Sequence, residues 1–374
     1  MYTMIPVLLA SLLLCASGGG DEAAEEAYYS IVPNSYCCMK AAAPLIIDGR
    51  MDDPDWLNAS WTGAFVDIQG ESAPLPRFRT RVKMMWDDKY LYVFAELEEP
   101  HVWARLRQRD TVIFEDNDFE IFVCPTGTNH TYYEFEVNAL NTVWDLFLPK
   151  PYRDGGPADN GWDISGLKSA VHVSGSINDP TDIDEGWSVE VAIPWTAFDR
   201  TAMYFDGKES LMQPAPPVPG QDMRINFSRV EWRHDAVSGS YRKVQGMKED
   251  NWVWSPQGVI DMHRPEKWGW VYFMDNASAC AEAGPDPEYI FHLALMRVYN
   301  AQKLYFKSHR KFASDLDDLV LMPHLLNVNG ARLDLRPRKK GYVASYRILR
   351  EGNSRTVISI DETSQLLTFE VLDR

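Results

Sequence analysis

The stretch Ile46-Ile47-Asp48-Gly49-Arg50-Met51-Asp52-Asp53-Pro54-Asp55-Trp56 reads as a short strand running into an acidic turn. Farther on, Met85-Trp86-Asp87-Asp88-Lys89-Tyr90-Leu91-Tyr92-Val93 reads as a β-hairpin with Asp-Asp-Lys at its bend. Glu115-Asp116-Asn117-Asp118-Phe119-Glu120-Ile121-Phe122-Val123 is a second acidic turn feeding a strand. Around these segments the sequence alternates with period two. The alternating runs are Arg81–Met85, Tyr92–Leu97, Phe119–Val123, Tyr133–Val137, Trp187–Ile193 and Met223–Val230. Half-buried strands at short intervals, parted by Gly, Pro, Asn and Asp, predict an antiparallel β-sandwich. Two long loops, 149–166 and 212–220, interrupt it; four prolines exclude a central strand from the second. Loops of this length at sandwich ends often carry the site.

In order and spacing, the three quoted segments resemble the family 9 carbohydrate-binding modules, which are antiparallel β-sandwiches that hold sugars without chemistry. The resemblance covers residues 42–273 and implies a site. A clamping aromatic before the acidic turn falls at Phe114. A ligand-contacting strand of the form Phe-Arg-Val-Asn is matched by Phe135-Glu136-Val137-Asn138, where Asn138 fits and Glu136 reverses the charge of the arginine. Asn141 matches a further family asparagine. The second clamping tryptophan is replaced by Met262, with His263 adjacent. The family also holds structural calcium, and Asp48, Asp53, Glu115 and Asp116 supply the hard carboxylate oxygens that calcium prefers.

Read from the residues alone, a sugar site needs flat rings to stack on a pyranose and polar groups to bond its hydroxyls. Of thirteen tryptophans, Trp56, Trp86, Trp187 and Trp195 sit in or beside predicted strands and read as core. Trp103, Trp144, Trp162, Trp232, Trp252 and Trp254 stand near turns, where packing and binding weigh equally. Trp144, Trp232 and Trp254 are the stacking candidates added to Phe114. Arg229 and His263 join Glu136, Asn138 and Asn141 as hydrogen-bonding candidates. A glycosidase would pair Glu134 with Glu136, or Glu115 with Glu120. Period-two glutamates, however, read as the solvated face of a sheet. A haem domain or interaction scaffold on the same sandwich would recruit Met262 with His263 or Met247 with Lys248, but such methionines usually pack cores.

The formal net charge of −17 argues against nucleic acid or anionic membrane as the main partner. Residues 285–374 carry fourteen Lys/Arg against eleven Asp/Glu, so that part is +3 and the remainder −20. This split marks two units. From about Pro287 to Ser308 the apolar spacing is helical, followed by strands at Gly341–Leu349, Thr356–Asp361 and Leu366–Val371, a small α+β unit. At the other end, the apolar run Ile5–Leu14 reads as an export signal within 1–19, and Leu12-Leu13-Leu14-Cys15 resembles a lipoprotein box in which Cys15 is acylated. Residues 20–41 read as a linker, 42–275 as the sandwich and 285–374 as the α+β unit. Cys37 or Cys38 could bridge to Cys280 in an exported chain. The expectation is a mainly β, non-catalytic carbohydrate-binding protein that holds a glycan at the cell envelope, near polysaccharide-degrading enzymes.

Overall fold

The computed structural model describes residues 26, 28–198, 200, 202–205, 208–211, 216–276, 280, 286–350 and 354–372. The export signal and Cys15 lie outside the described residues. The first strands are β1 (Ser35–Lys40), β2 (Val66–Asp67), β3 (Thr80–Trp86), β4 (Tyr90–Glu98), β5 (Asp118–Cys124) and β6 (Tyr132–Asn138). Next come β7 (Val143–Leu148), β8 (Lys168–Ser174), β9 (Gly186–Pro194) and the ribbon β10 (Ala202–Phe205) with β11 (Lys208–Leu211). After them follow β12 (Asp222–Glu231), the hairpin β13 (His234–Val237) with β14 (Ser240–Lys243), β15 (Asp250–Val253) and β16 (Gly269–Met274).

Ten of these form one sheet in the order β7-β6-β5-β12-β16-β1-β3-β4-β9-β8, with β15 and β2 attached beside β12. The sheet curls so that its two ends pack face to face. Their alternating apolar residues meet in the main core, Phe119, Ile121, Phe135 and Val137 from one layer and Val82, Val93, Val189 and Val191 from the other. The antiparallel sandwich read from the period-two pattern is therefore present. One strand departs from it: β1 runs parallel to both β16 and β3 and closes the sheet between the layers. Ser35–Lys40 thus belongs to the sandwich and not to a linker, because Tyr36 and Cys38 point into the core.

The opening segment folds over the outer face of β3, β4 and β9. Leu45, Trp56 and Ala59 pack there on Met85, Tyr92 and Phe94. The buried carboxylate of Glu190 holds this cover in place. It accepts hydrogen bonds from Trp56 Nε1 at 3.0 Å, Asp48 N at 3.0 Å and Gly49 N at 3.2 Å. Gly49 has φ +83°, and a Cβ there would come within 2.8 Å of the His172 backbone nitrogen. The position therefore admits only glycine. Asp55 accepts from Ala42 N and Ala43 N, and Asp53 from Ile46 N. The acidic turn is built to satisfy its own backbone donors.

The carboxy-terminal unit is helix α1 (Tyr289–His309) across β19 (Asp334–Pro337), β20 (Tyr342–Leu349), β21 (Ser354–Asp361) and β22 (Leu366–Leu372), preceded by the short pair β17 (Asn327–Val328) and β18 (Ala331–Arg332). Phe291, Leu295 and Val298 of the helix pack against Tyr346, Ile358 and Ile360. This matches the expected helix and three strands; β19 is an addition. The unit is fastened to the sandwich through Asp154, which accepts from Tyr299 and Ser364 hydroxyls at 2.5 and 2.6 Å and pairs with Lys303 at 2.9 Å. Arg153 makes a bidentate pair with buried Glu266 at 2.8 and 2.9 Å. Cys37 and Cys280 are joined by a disulfide, which selects one of the two bridges open from the sequence; Cys38 is a buried thiol.

Removing the Glu190 carboxylate strands two buried donors, Trp56 Nε1 and Gly49 N, each costing about 1–3 kcal/mol, and the part-buried Asp48 N. Glu190→Ala is expected to lose about 3 kcal/mol or more in denaturant unfolding, and Gly49→Ala to be destabilised as well. A Glu190→Ala protein with wild-type stability would refute this latch.

Candidate functional site

The in-register pairing of β7, β6, β5 and β12 builds a lattice whose two faces differ in chemistry. One cross-strand row runs Trp144, Glu136, Glu120, Ser228. The next runs Leu146, Glu134, Phe122, Asn226, and on the other side Asp118 pairs with Asn138. Residues one step along each strand face the main core, so these rows lie on the opposite face. Four carboxylates, Asp118, Glu120, Glu134 and Glu136, therefore share one small area, and each is at most 5% exposed. The solvated face expected for Glu134 and Glu136 is in fact buried, because the segments around Tyr152 and His263 fold over it.

Rings border this strip. Trp144 and Phe114 are half-buried, with centroids 6.5 Å apart and planes at 30°. Phe114 N donates to Glu136 Oε2 at 3.1 Å, which ties the ring's backbone to the acid. Tyr152 is 45% exposed and meets His263 edge to face at 4.5 Å. His263 Nδ1 lies 3.0 Å from the Tyr132 hydroxyl. Burial pushes His263 down to about 4, so its ring is neutral at physiological pH. Burial first, and then mutual repulsion, push Asp118, Glu134 and Glu136 up; burial lifts Glu120 to about 7, opposed by Ser228.

The expected site residues divide accordingly. Phe114, Glu136, Trp144 and His263 come together on this face. Trp232 stands behind Phe114, donating Nε1 to its carbonyl at 2.8 Å, and its ring is covered by Lys243 Nζ at 3.3 Å from the centroid. Asn138 is fully buried and spends its amide on Leu106 O and Asp116, and its carbonyl on Leu140 N and Thr142 N, so it shapes a turn. Trp254 is a core residue packed on Tyr36 and Phe227, with no free ring face. Arg229 is wholly buried between Glu99 and Glu231, both at 2.8 Å, and is a structural ion-pair centre. Asn141 lies elsewhere, in an open hollow of about 630 Å³ with Arg107, Arg109 and Asp163. Trp103, Trp162 and Trp252 are core, as are Trp56, Trp86, Trp187 and Trp195.

The four acids proposed for calcium do not gather. Asp48 caps Arg50 N, Asp53 caps Ile46 N, and Glu115 pairs with Lys243. Asp116 accepts from Arg105 N and Leu106 N and pairs with the Arg105 guanidinium. Each spends at least one oxygen on the backbone or on a cation of the chain, and among the described residues no group of converging carboxylates includes them. Glu120, Glu134 and Glu136 are among the acids weighed above for a glycosidase; their convergence with Asp118 comes from the in-register pairing of β5 with β6 across a turn. Asp-x-Glu followed by Glu-x-Glu on consecutive alternating segments was the available signal.

A curled β-sandwich with a ring-bordered polar strip on one sheet defines a ligand-binding module. Residues 47–252 match the family described as carbohydrate family 9 binding domain-like, and the chain belongs to that family. It is 30% identical over 152 residues to endo-1,4-beta-xylanase A of Thermoanaerobacterium saccharolyticum, covering 41% of this chain and 11% of that enzyme. Over 155 residues it is 30% identical to exoglucanase XynX of Acetivibrio thermocellus, covering 41% and 12% respectively. The chain thus spans about a tenth of the length of these curated relatives. Among solved structures, a family 9 carbohydrate-binding module from Caldicellulosiruptor kristjanssonii in complex with cellotriose is 18% identical, with a TM-score of 0.42, covering 65% of this chain and 95% of that one.

A carboxyl whose proton is held more tightly in the folded chain stabilises fully below its unfolded value and loses that contribution as pH rises through the folded one. For Glu120 this window runs from the ordinary glutamate value of 4.5 to about 7. Stability of the wild type in chelator should fall relative to Glu120→Gln across that window in thermal melts. Comparing the pair removes the opposing effect of His263, which gains stability as pH rises above about 4. Parallel pH profiles would contradict the assignment.

Proposed function

We propose that this is a non-catalytic carbohydrate-binding protein of the cell envelope, and that the β5–β7 face holds its glycan. The observation that carries the reading is the placing of half-buried Trp144 and Phe114, with centroids 6.5 Å apart, at the edge of the polar strip. The half-buried rings of Trp144 and Phe114 stack on the apolar face of a pyranose. The hollow around Asn141 has no aromatic ring in its lining and offers no stacking surface. The endo-1,4-beta-xylanase relative favours a β-1,4-linked glycan as the ligand class.

Glu134 and Glu136 do not suit a glycosidase. Retaining chemistry needs two carboxyls that reach the scissile bond, whereas Glu134 and Glu136 are 5% and 1% exposed. Export is supported by the Cys37–Cys280 bridge, since disulfides persist in oxidising compartments. Anchoring through an acylated Cys15 and service to polysaccharide-degrading enzymes complete the proposal.

Affinity electrophoresis in β-1,4-glucan and β-1,4-xylan tests it. Retardation of the wild type is expected, with Trp144→Ala weakening binding about tenfold or more, as loss of a central aromatic contact does. Arg107→Ala, in the separate hollow, should bind as wild type. No retardation in either glycan, release of reducing ends, or equal binding by Trp144→Ala would overturn the reading.

A further inference from the structure

The ring-bordered strip has a second end. Trp144 stands across from Glu136 on the neighbouring strand. Four residues along β6 from Glu136 lies Tyr132, about 13 Å away at the rise of an extended strand, with Glu134 between them. The Tyr132 hydroxyl lies 3.0 Å from His263 Nδ1, and the His263 ring meets Phe122 at 6.0 Å and Tyr152 at 4.5 Å, both edge to face. Phe114 with Trp144, and Tyr152 with His263, therefore stand toward opposite ends of one strip.

Within the second group Tyr152 is the accessible ring. Tyr132 is fully buried and His263 half-buried, whereas Tyr152 is 45% exposed. Burial first, and then nearby Glu134 and Glu136, push its hydroxyl up, so the ring borders the same acids as Trp144 does. Its backbone is pinned as well. Residues Tyr152–Asp154 make a single 3-10 turn. Arg153 is held by Glu266, and Asp154 by Tyr299, Lys303 and Ser364 of the carboxy-terminal unit. A tyrosine already fixed in place gives up little freedom when a ligand stacks on it.

We propose that Tyr152 is a further stacking contact of the glycan site, at the end of the strip away from Trp144 and Phe114, and that the carboxy-terminal unit holds it there. The inference rests on the β5–β7 face being the glycan site. It gives the α+β unit a positioning role in binding, exerted through Asp154.

The full chain and its variants are run in affinity electrophoresis in β-1,4-glucan and β-1,4-xylan, with a thermal melt of each. Tyr152→Ala should weaken binding about fivefold or more, and Tyr152→Phe, which keeps the ring, should bind within about twofold of the wild type. Tyr299→Phe with Ser364→Ala removes two donors to Asp154. That pair should weaken binding in the wild-type background and add nothing in the Tyr152→Ala background, a coupling that general destabilisation does not produce. Without any substitution, cello- or xylo-oligosaccharide should protect Tyr152 from nitration by tetranitromethane, read by peptide mass spectrometry. Undiminished binding by Tyr152→Ala, or nitration of Tyr152 unaffected by saturating oligosaccharide, overturns the contact. No loss in the Tyr299→Phe, Ser364→Ala pair, or losses that add to that of Tyr152→Ala, overturn the positioning role. If Trp144→Ala weakens binding while Tyr152→Ala does not, this inference fails and the glycan reading stands; no retardation of the wild type ends both.

Discussion

The architecture depends on the seating of β1 between β16 and β3. Each sheet layer pairs its own strands antiparallel, and only the parallel register of Ser35–Lys40 turns two layers into one curled sheet. The seam is reinforced by side chains. The Tyr36 hydroxyl donates to Ser60 O at 2.6 Å and accepts from Met84 N at 3.0 Å, while Cys37 is covalently joined to Cys280. With that seam closed, β12 is flanked by β5 and β16, and the carboxylate-bearing strands acquire a fixed distance from the core.

Alternation in the sequence reported the strands faithfully because each has one face in a common core. Phe119, Ile121, Tyr133 and Phe135 are apolar for that reason, and helical spacing likewise exposed α1. What alternation could not report is the fate of the second face. Glu134 and Glu136 have the pattern of residues meeting water, yet loops distant in the chain roof them over. Ser35–Lys40 was illegible for a related reason: a short strand carrying a Ser, a Tyr and two Cys next to a Lys shows little periodicity, and its parallel partners are remote in sequence.

The site was legible only in part. Phe114, Glu136, Trp144 and His263 do meet, two of them placed by family resemblance and the others by aromatic or polar character near turns. Arg229 and Trp254 have the chemistry of ligand contacts and the environment of core. Which applies depends on whether a neighbour claims the group first: Glu99 and Glu231 claim the guanidinium, and Tyr36 and Phe227 claim the indole. The acidic turns show the same competition, since backbone amides take Asp53 and Asp116 before any ion could. Glu120 and Glu136 instead lie among other acids, beside Ser228 and the Phe114 amide, without an ion pair to a cationic side chain among the described residues.

The fastening at Asp154 bears on how such a sandwich could be transplanted. Arg153 and Asp154 follow Tyr152 directly, so the wall of the candidate site is braced by α1 and the turn after β21. Lys267, whose ammonium burial lowers to about 7, donates to Tyr28 O and Ile31 O from the same junction. A recombinant graft of the sandwich alone would unmask Asp154, a charged group whose partners Tyr299, Lys303 and Ser364 reside on the excised portion. Shuffling this domain among polypeptides therefore requires moving both units together.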